Sequence, residues 1–260
     1  MKNFFYKYQY LIFQIIAHAV TIWAIFYYSP VAWLLAIPFY ILITGVGLSI
    51  TFHRYITHKA FNFPSWMSCI GLFFGTLSGQ GPAVGWALKH ALHHHLSDTI
   101  NDPHSPQYIS PWRLYWLNLI KNQEDLFNKS VKHSTFENVI QNRITWYFGE
   151  YYWSFHLIYI ALMLILGPEW LVFGYFVPAC LSWVAFGYGV VIAAHSNGYI
   201  SYNNNDHSRN NSWVSYLVFG EGYQNNHHKF SGDGDYTKAP NEWDPLGKFF
   251  KRVFPPTSIQ

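Results

Sequence analysis

Between Lys7 and Arg54 the chain runs for 46 residues without an aspartate, glutamate, lysine or arginine. A soluble fold has no place for such a stretch. About a quarter of the residues of a soluble domain are charged, against 11% here. A helical membrane crossing takes roughly 20 apolar residues, so the run holds two, and Ser29-Pro30 breaks it near its middle. This predicts a helical hairpin with spans at 10–28 and 31–50. Gln14 and His18 fall inside the first span, where polar groups are functional candidates by default; for His18 a helix-packing hydrogen bond is the expected role.

Residues 60–88 are also uncharged, but Pro64, Pro82 and five glycines interrupt them. Irregular backbone at membrane depth must be shielded by protein, so a helix lying in the interface or dipping into the protein is expected there. Residues 89–150 are polar and mixed, including Lys121-Asn122-Gln123-Glu124-Asp125. A short third span at 151–166 and a fourth at 170–194 flank the turn Gly167-Pro168-Glu169, and the remainder is polar. All 16 lysines and arginines fall in the leader, between spans two and three, or in the tail. The positive-inside rule puts those segments, both termini included, in the cytoplasm.

The expected fold is therefore an all-α membrane protein, a single domain over 1–260. Four transmembrane helices carry a cytosolic histidine-rich helical cap made of 51–150 and 195–260. A bacterial inner membrane or the endoplasmic reticulum would suit it. No cleavable signal peptide is recognised in the first apolar run. Cys69 and Cys180 lie in apolar runs and are expected to be buried free thiols. A formal charge of +3 gives no case for nucleic acid.

The chemistry lies in the histidines. Eight of the 14 fall in four places: His53 and His58; His90, His93 and His94; His195, at the end of the last span; and His227 with His228. On a helix His90 and His94 face the same way, whereas His93 lies about 100° from His94, so the two can serve different ions. An i, i+5 pair such as His53 and His58 sits about 140° apart on a regular helix and is expected to converge only where the helix ends or tightens. His95 is expected at the surface. Imidazole suits Zn, Cu, Fe and Ni, and eight ligands are too many for one ion and enough for two. A metal pair beside apolar spans suggests O2 chemistry on lipid, because an unactivated methylene C–H bond is too strong for acid–base catalysis.

His-X4-His, His-X2-His-His and a late His-His after Gly220-Glu221-Gly222-Tyr223, with Asn101-Asp102-Pro103-His104 and Ala193-Ala194-His195 between them, resemble the integral-membrane fatty acid desaturases. The resemblance is to the acyl-CoA Δ9 (stearoyl-CoA) branch and runs from about Gly45 to Tyr236. It implies two iron ions (Fe2+), O2, a kinked acyl tunnel, a fatty acyl-CoA or acyl-lipid substrate in the bilayer, and a separate electron donor such as cytochrome b5 or ferredoxin. It also implies that His53, His58, His90, His93, His94, His195, His227 and His228 are metal ligands. Gln224 stands where the family's third box usually begins with histidine, and can bind through its amide oxygen. Val191 stands where the branch usually has an asparagine that holds a metal-bound water. The segment Ser110 to Ile120 departs from the family's usual run, which leaves the acyl carrier open.

Asp102, His104 and Glu221 could orient ligand imidazoles; Asp102 could equally cap the turn at Pro103. Trp86 and Trp183 stand where rings could line an acyl tunnel, although with 12 tryptophans packing or an interfacial belt is the more ordinary role. Lys89 is expected to meet lipid headgroups or the phosphates of a carrier, as are Lys248, Lys251 and Arg252, for which an anionic leaflet suffices. A membrane hydroxylase shares the same box logic. A non-redox metal-binding or transport protein would instead need polar residues along its spans, and these are mostly apolar.

Overall fold

The computed structural model describes residues 2–118 and 142–256, so Lys121 to Asp125 and the end of the segment Ser110 to Ile120 lie outside the described residues. The long elements are α1 (Lys2–Tyr27), α2 (Pro30–Thr57), α3 (Ser65–Leu77), α4 (Ala83–Leu96), α5 (Pro111–Leu117), α6 (Arg143–Glu150), α7 (Tyr152–Leu166) and α8 (Pro168–His195). Short helices α9 (Ser212–Leu217), α10 (Gln224–Lys229) and α11 (Pro245–Val253) complete the chain. Among the described residues β-structure is confined to two isolated bridges, which join Asn210 to Tyr199 and Tyr223.

Among the described residues three helices are long and apolar enough to cross a membrane: Tyr6–Tyr27, Pro30–Thr57 and Pro168–His195. A fourth crossing requires α6 and α7 to count as one span, and they are bent by 67°. The second span runs on to Thr57, past residue 51 where the cap was expected to begin. Its physical reason is Arg54, which ends the uncharged run yet is fully buried and neutralised by partners from elsewhere, so it stops nothing. Ala24, Ala36, Val172 and Phe173 pack in one cluster, which puts the Ser29-Pro30 and Gly167-Pro168 turns at the same end of the bundle. His18 makes the expected packing contact, with Nε2 2.6 Å from the Tyr115 hydroxyl.

The glycine-rich stretch forms α3, which runs back antiparallel along α2. Gly47 of α2 faces the backbone of Gly75, and Gly71 faces Thr51. Glycine is required there because the two backbones touch: a Cβ on Gly47 would lie 2.4 Å from the Gly75 nitrogen. Gly47→Ala is expected to cost about 1–3 kcal/mol, read as a lower unfolding midpoint in detergent. Gly232→Ala, where a Cβ meets nothing within 4 Å, should leave it unchanged. The glycine face of α3 is the buried one, so Cys69 on the other face is exposed beside Trp66 and Ile70, contrary to expectation. Cys180 is buried as expected.

After α3, left-handed turns at Gly79 and Gly81 reverse the chain into α4. That helix brings the second histidine box back to the cap end of α2.

Candidate metal centre

His53, His58, His90, His94 and His227 form one group and His93, His195 and His228 a second; within each, the candidate ligand atoms lie within 4.8 Å of one another. Neighbouring residues divide between the groups on both α4 and α10: His94 and His227 go to the first, His93 and His228 to the second. The 100° step between consecutive helical residues does this, as the spacing of the second box predicts.

His53 and His58 join one group because α2 widens. The His58 amide donates to the His53 carbonyl five residues back, at 3.2 Å. Thr51 and Thr57 hydroxyls likewise donate to carbonyls five residues back, those of Val46 and Phe52. In such a turn residues i and i+5 stack, and the two rings lie 5.0 Å apart. The helix ends here, with His58 as its C-cap, as one of the two expected alternatives had it; the other, a tightening, is corrected, because the last turns widen instead. Wide turns of this kind are rare and recur at functional sites.

The nitrogens meet in a way that suits a cation. His94 Nε2 lies 3.0 Å from His90 Nε2 and 2.8 Å from His227 Nε2, and His53 Nε2 lies 3.0 Å from His227 Nε2. His93 and His228 Nε2 are 3.3 Å apart. Ligands about 2.1 Å from one ion, roughly at right angles, are about 3 Å apart. His58 Nε2 is buried with no hydrogen-bond partner. Burial, then neighbouring imidazoles, pushes His58, His90, His94 and His227 well below the usual histidine range. They are neutral at physiological pH, so their lone pairs are free to bind.

Carboxylates fix the rings. Glu221 Oε2 lies 2.5 Å from His53 Nδ1, Asp102 Oδ2 2.8 Å from His93 Nδ1, and Asp206 Oδ2 2.8 Å from His228 Nδ1. Each holds Nδ1 and leaves Nε2 turned to the group. Asp102 also caps its turn, accepting from the His104 amide at 2.9 Å. Burial alone would raise Asp206, but hydrogen bonds from His228 and Ser208 outweigh it and hold the carboxylate below its usual range. His104 makes a ring contact with His93 at 4.1 Å rather than a hydrogen bond.

Four further residues of this scaffold, Asp98, Asp206, Arg54 and Asp244, were not among the candidate site residues read from the sequence. Asp98 sits 3.8 Å from His195 Nδ1, an electrostatic partner beyond hydrogen-bond reach. Asp206 belongs to a loop marked only by Asn203-Asn204-Asn205. Arg54 donates to Glu221 Oε1 at 3.1 Å and Asp244 Oδ2 at 2.8 Å.

A cavity is lined by His53, His90, His93, His104 and His195, and also by Trp86, Trp183, Val191 and Gln224. It thus touches both groups. Trp86 stacks on His90 at 5.2 Å, and Trp183 is buried. Gln224 Nε2 donates to the Glu221 carbonyl at 2.6 Å, which leaves its Oε1 free of that bond. His95 is exposed, as expected.

The fatty acid desaturase family matches residues 31–236, the greater part of the chain. The chain belongs to the fatty acid desaturase family. It is 35% identical over 204 residues to an sn-1 stearoyl-lipid 9-desaturase of Synechocystis sp., covering 75% of this chain and 60% of that protein. It is 34% identical over 202 residues to the protein of the same name from Anabaena variabilis, covering 75% and 70%. A chloroplastic palmitoyl-monogalactosyldiacylglycerol delta-7 desaturase of Arabidopsis thaliana is 30% identical over 225 residues, covering 82% and 57%. The chain thus spans less than two thirds of the first and third of these relatives. Their names are those of lipid desaturases, so the resemblance of the boxes holds for the family and leaves the acyl-CoA branch open.

Proposed function

We propose that the chain is an O2-dependent desaturase that removes two hydrogens from adjacent methylenes of a saturated fatty acyl chain, leaving a cis double bond at position 9. The observation that carries this is a cavity walled by apolar residues such as Phe186 and Val190 that reaches members of both histidine groups. The names of the relatives support an acyl-lipid as the carrier and position 9 as the site. One O2 takes the two hydrogens, two electrons from a separate donor and two protons, and leaves as two waters.

The two groups suit two iron ions. His53, His58, His90, His94 and His227 would hold one; His93, His195 and His228 the other. Gln224, one helical turn from His228 on α10, would offer its Oε1 on that side. Bound iron would supply the redox chemistry with O2 that an unactivated C–H bond requires. The rest is the protein's work. Glu221, Asp102 and Asp206 hold the imidazoles in one tautomer. Trp86, backed by Phe52 at 6.3 Å, walls the acyl chain against His90. Aromatic and aliphatic walls exclude water from the reacting carbons. The concentration of Lys and Arg on the histidine side supports a multi-pass protein with this site facing the cytoplasm.

Asp206→Asn keeps the shape but removes the charge behind His228. It is expected to weaken metal binding at the three-histidine group about 10–100-fold, measured by competition with a chromophoric chelator, and to spare the other group. The function is tested by expressing the wild type in a desaturase-deficient host and locating double bonds by mass spectrometry. A new 9-monounsaturated acid in membrane lipids is the expected result. A hydroxy acid in its place would overturn the reading.

A further inference from the structure

Lys89 places an amine in a cavity whose walls are largely apolar. It lines the cavity together with Gly85, Trp86 and His93, its neighbours at helical spacing on α4. It therefore stands between the ring that walls the cavity and the three-histidine group, about 6 Å along the helix from His93. Its Nζ donates to the Asn118 carbonyl at 2.8 Å and to Asn118 Oδ1 at 2.9 Å. Among the described residues no carboxylate comes within ion-pair reach of it. Lys89 is half-buried, and two bonds to one residue leave a third donor for the cavity. Asn118 holds the head so that this donor has one position.

We propose that Lys89, positioned by Asn118, binds the carbonyl oxygen at the carboxyl end of the acyl substrate and so sets which carbons reach the histidine groups. This rests on the desaturase reading. An acyl carbonyl is common to esters and thioesters, so the anchor counts from the carboxyl end whichever carrier is used. A chain gripped only by apolar walls can slide by one methylene at little cost. A hydrogen bond at one end removes that freedom.

The test expresses the wild type, Lys89→Met and Lys89→Arg in a desaturase-deficient host. Products are resolved by double-bond position and by lipid class, and iron is measured on each purified protein. For Lys89→Met, desaturation is expected to fall about tenfold or more and the residual product to spread over neighbouring positions, with bound iron unchanged. Lys89→Arg, which keeps a donor, should retain one position. An unchanged yield at one position from Lys89→Met overturns the proposal. So does a change of lipid class with the position intact, which would assign the amine to a headgroup phosphate. If Lys89→Met does not accumulate, Lys89→Gln decides: an altered ratio of positional isomers supports the anchor and an unaltered one sinks it. A wild type that makes no double bond takes down the desaturase reading as well, which a defect confined to the variants does not.

Discussion

His94→Ala is expected to abolish double-bond formation, with a loss of at least about 100-fold, beyond the 10–100-fold typical of removing a partner behind a ligand. His94 occupies the junction of the site. Its Nε2 meets those of His90 and His227, and its ring lies 4.6 Å from that of His228 in the other group. The next histidine on α4, His95, is exposed and does not replace a nitrogen aimed from that position. Fatty acid profiling of the deficient host gives the activity, and elemental analysis of the purified variant should show about one iron fewer per chain. His95→Ala is the matched control and should retain activity. Full activity in His94→Ala would remove the five-histidine group from the mechanism.

Arg54→Met is expected to destabilise the fold by about 3–5 kcal/mol. Arg54 is fully buried and donates to Glu221, Asp244 and the Gly234 and Phe219 carbonyls, with its guanidinium carbon 4.0 Å from the centre of the Tyr236 ring. Replacing it leaves two buried carboxylates without their cation. Glu221 also accepts from Ser49 and holds His53, so the first group loses its orientation along with the stability. The unfolding midpoint in detergent should fall on the order of 10 °C. Arg54→Lys should not rescue it, because a point charge cannot replace a planar fork with five donors. A wild-type midpoint in Arg54→Met would show that the buried network is dispensable.

These two residues mark how differently the site was written into the chain. His94 was legible: its spacing from His90 and His93 is a local helical pattern, and the division of the box between two groups follows from it. The histidine boxes, the separation of His95 and the uncharged runs are all of this kind. Arg54 was legible only as the end of an uncharged run, and the second span was expected to stop before it, at residue 50, whereas the helix continues to Thr57. The partners of Arg54 lie 165 to 190 residues away in sequence, so no local pattern encodes them. Asp206 was hidden in the same way, because an asparagine-rich loop looks alike whether or not it ends on a buried histidine's partner. His58 was legible as a partner of His53 at a helix end, but the winding that joins them was not. Regular helical geometry turns it away from His53, and nothing in the letters announces a turn that widens to five residues.

The sequence by itself determined the membrane class, the apolar spans, and two sets of histidines able to converge. Run length and helical spacing are properties of neighbouring residues. Only the tertiary structure decided that α2 continues through Arg54, that α3 doubles back along it on a glycine face, and which carboxylate holds which imidazole. Those outcomes depend on groups brought together from distant parts of the chain, where burial makes every unpaired charge costly and so selects a single set of partners.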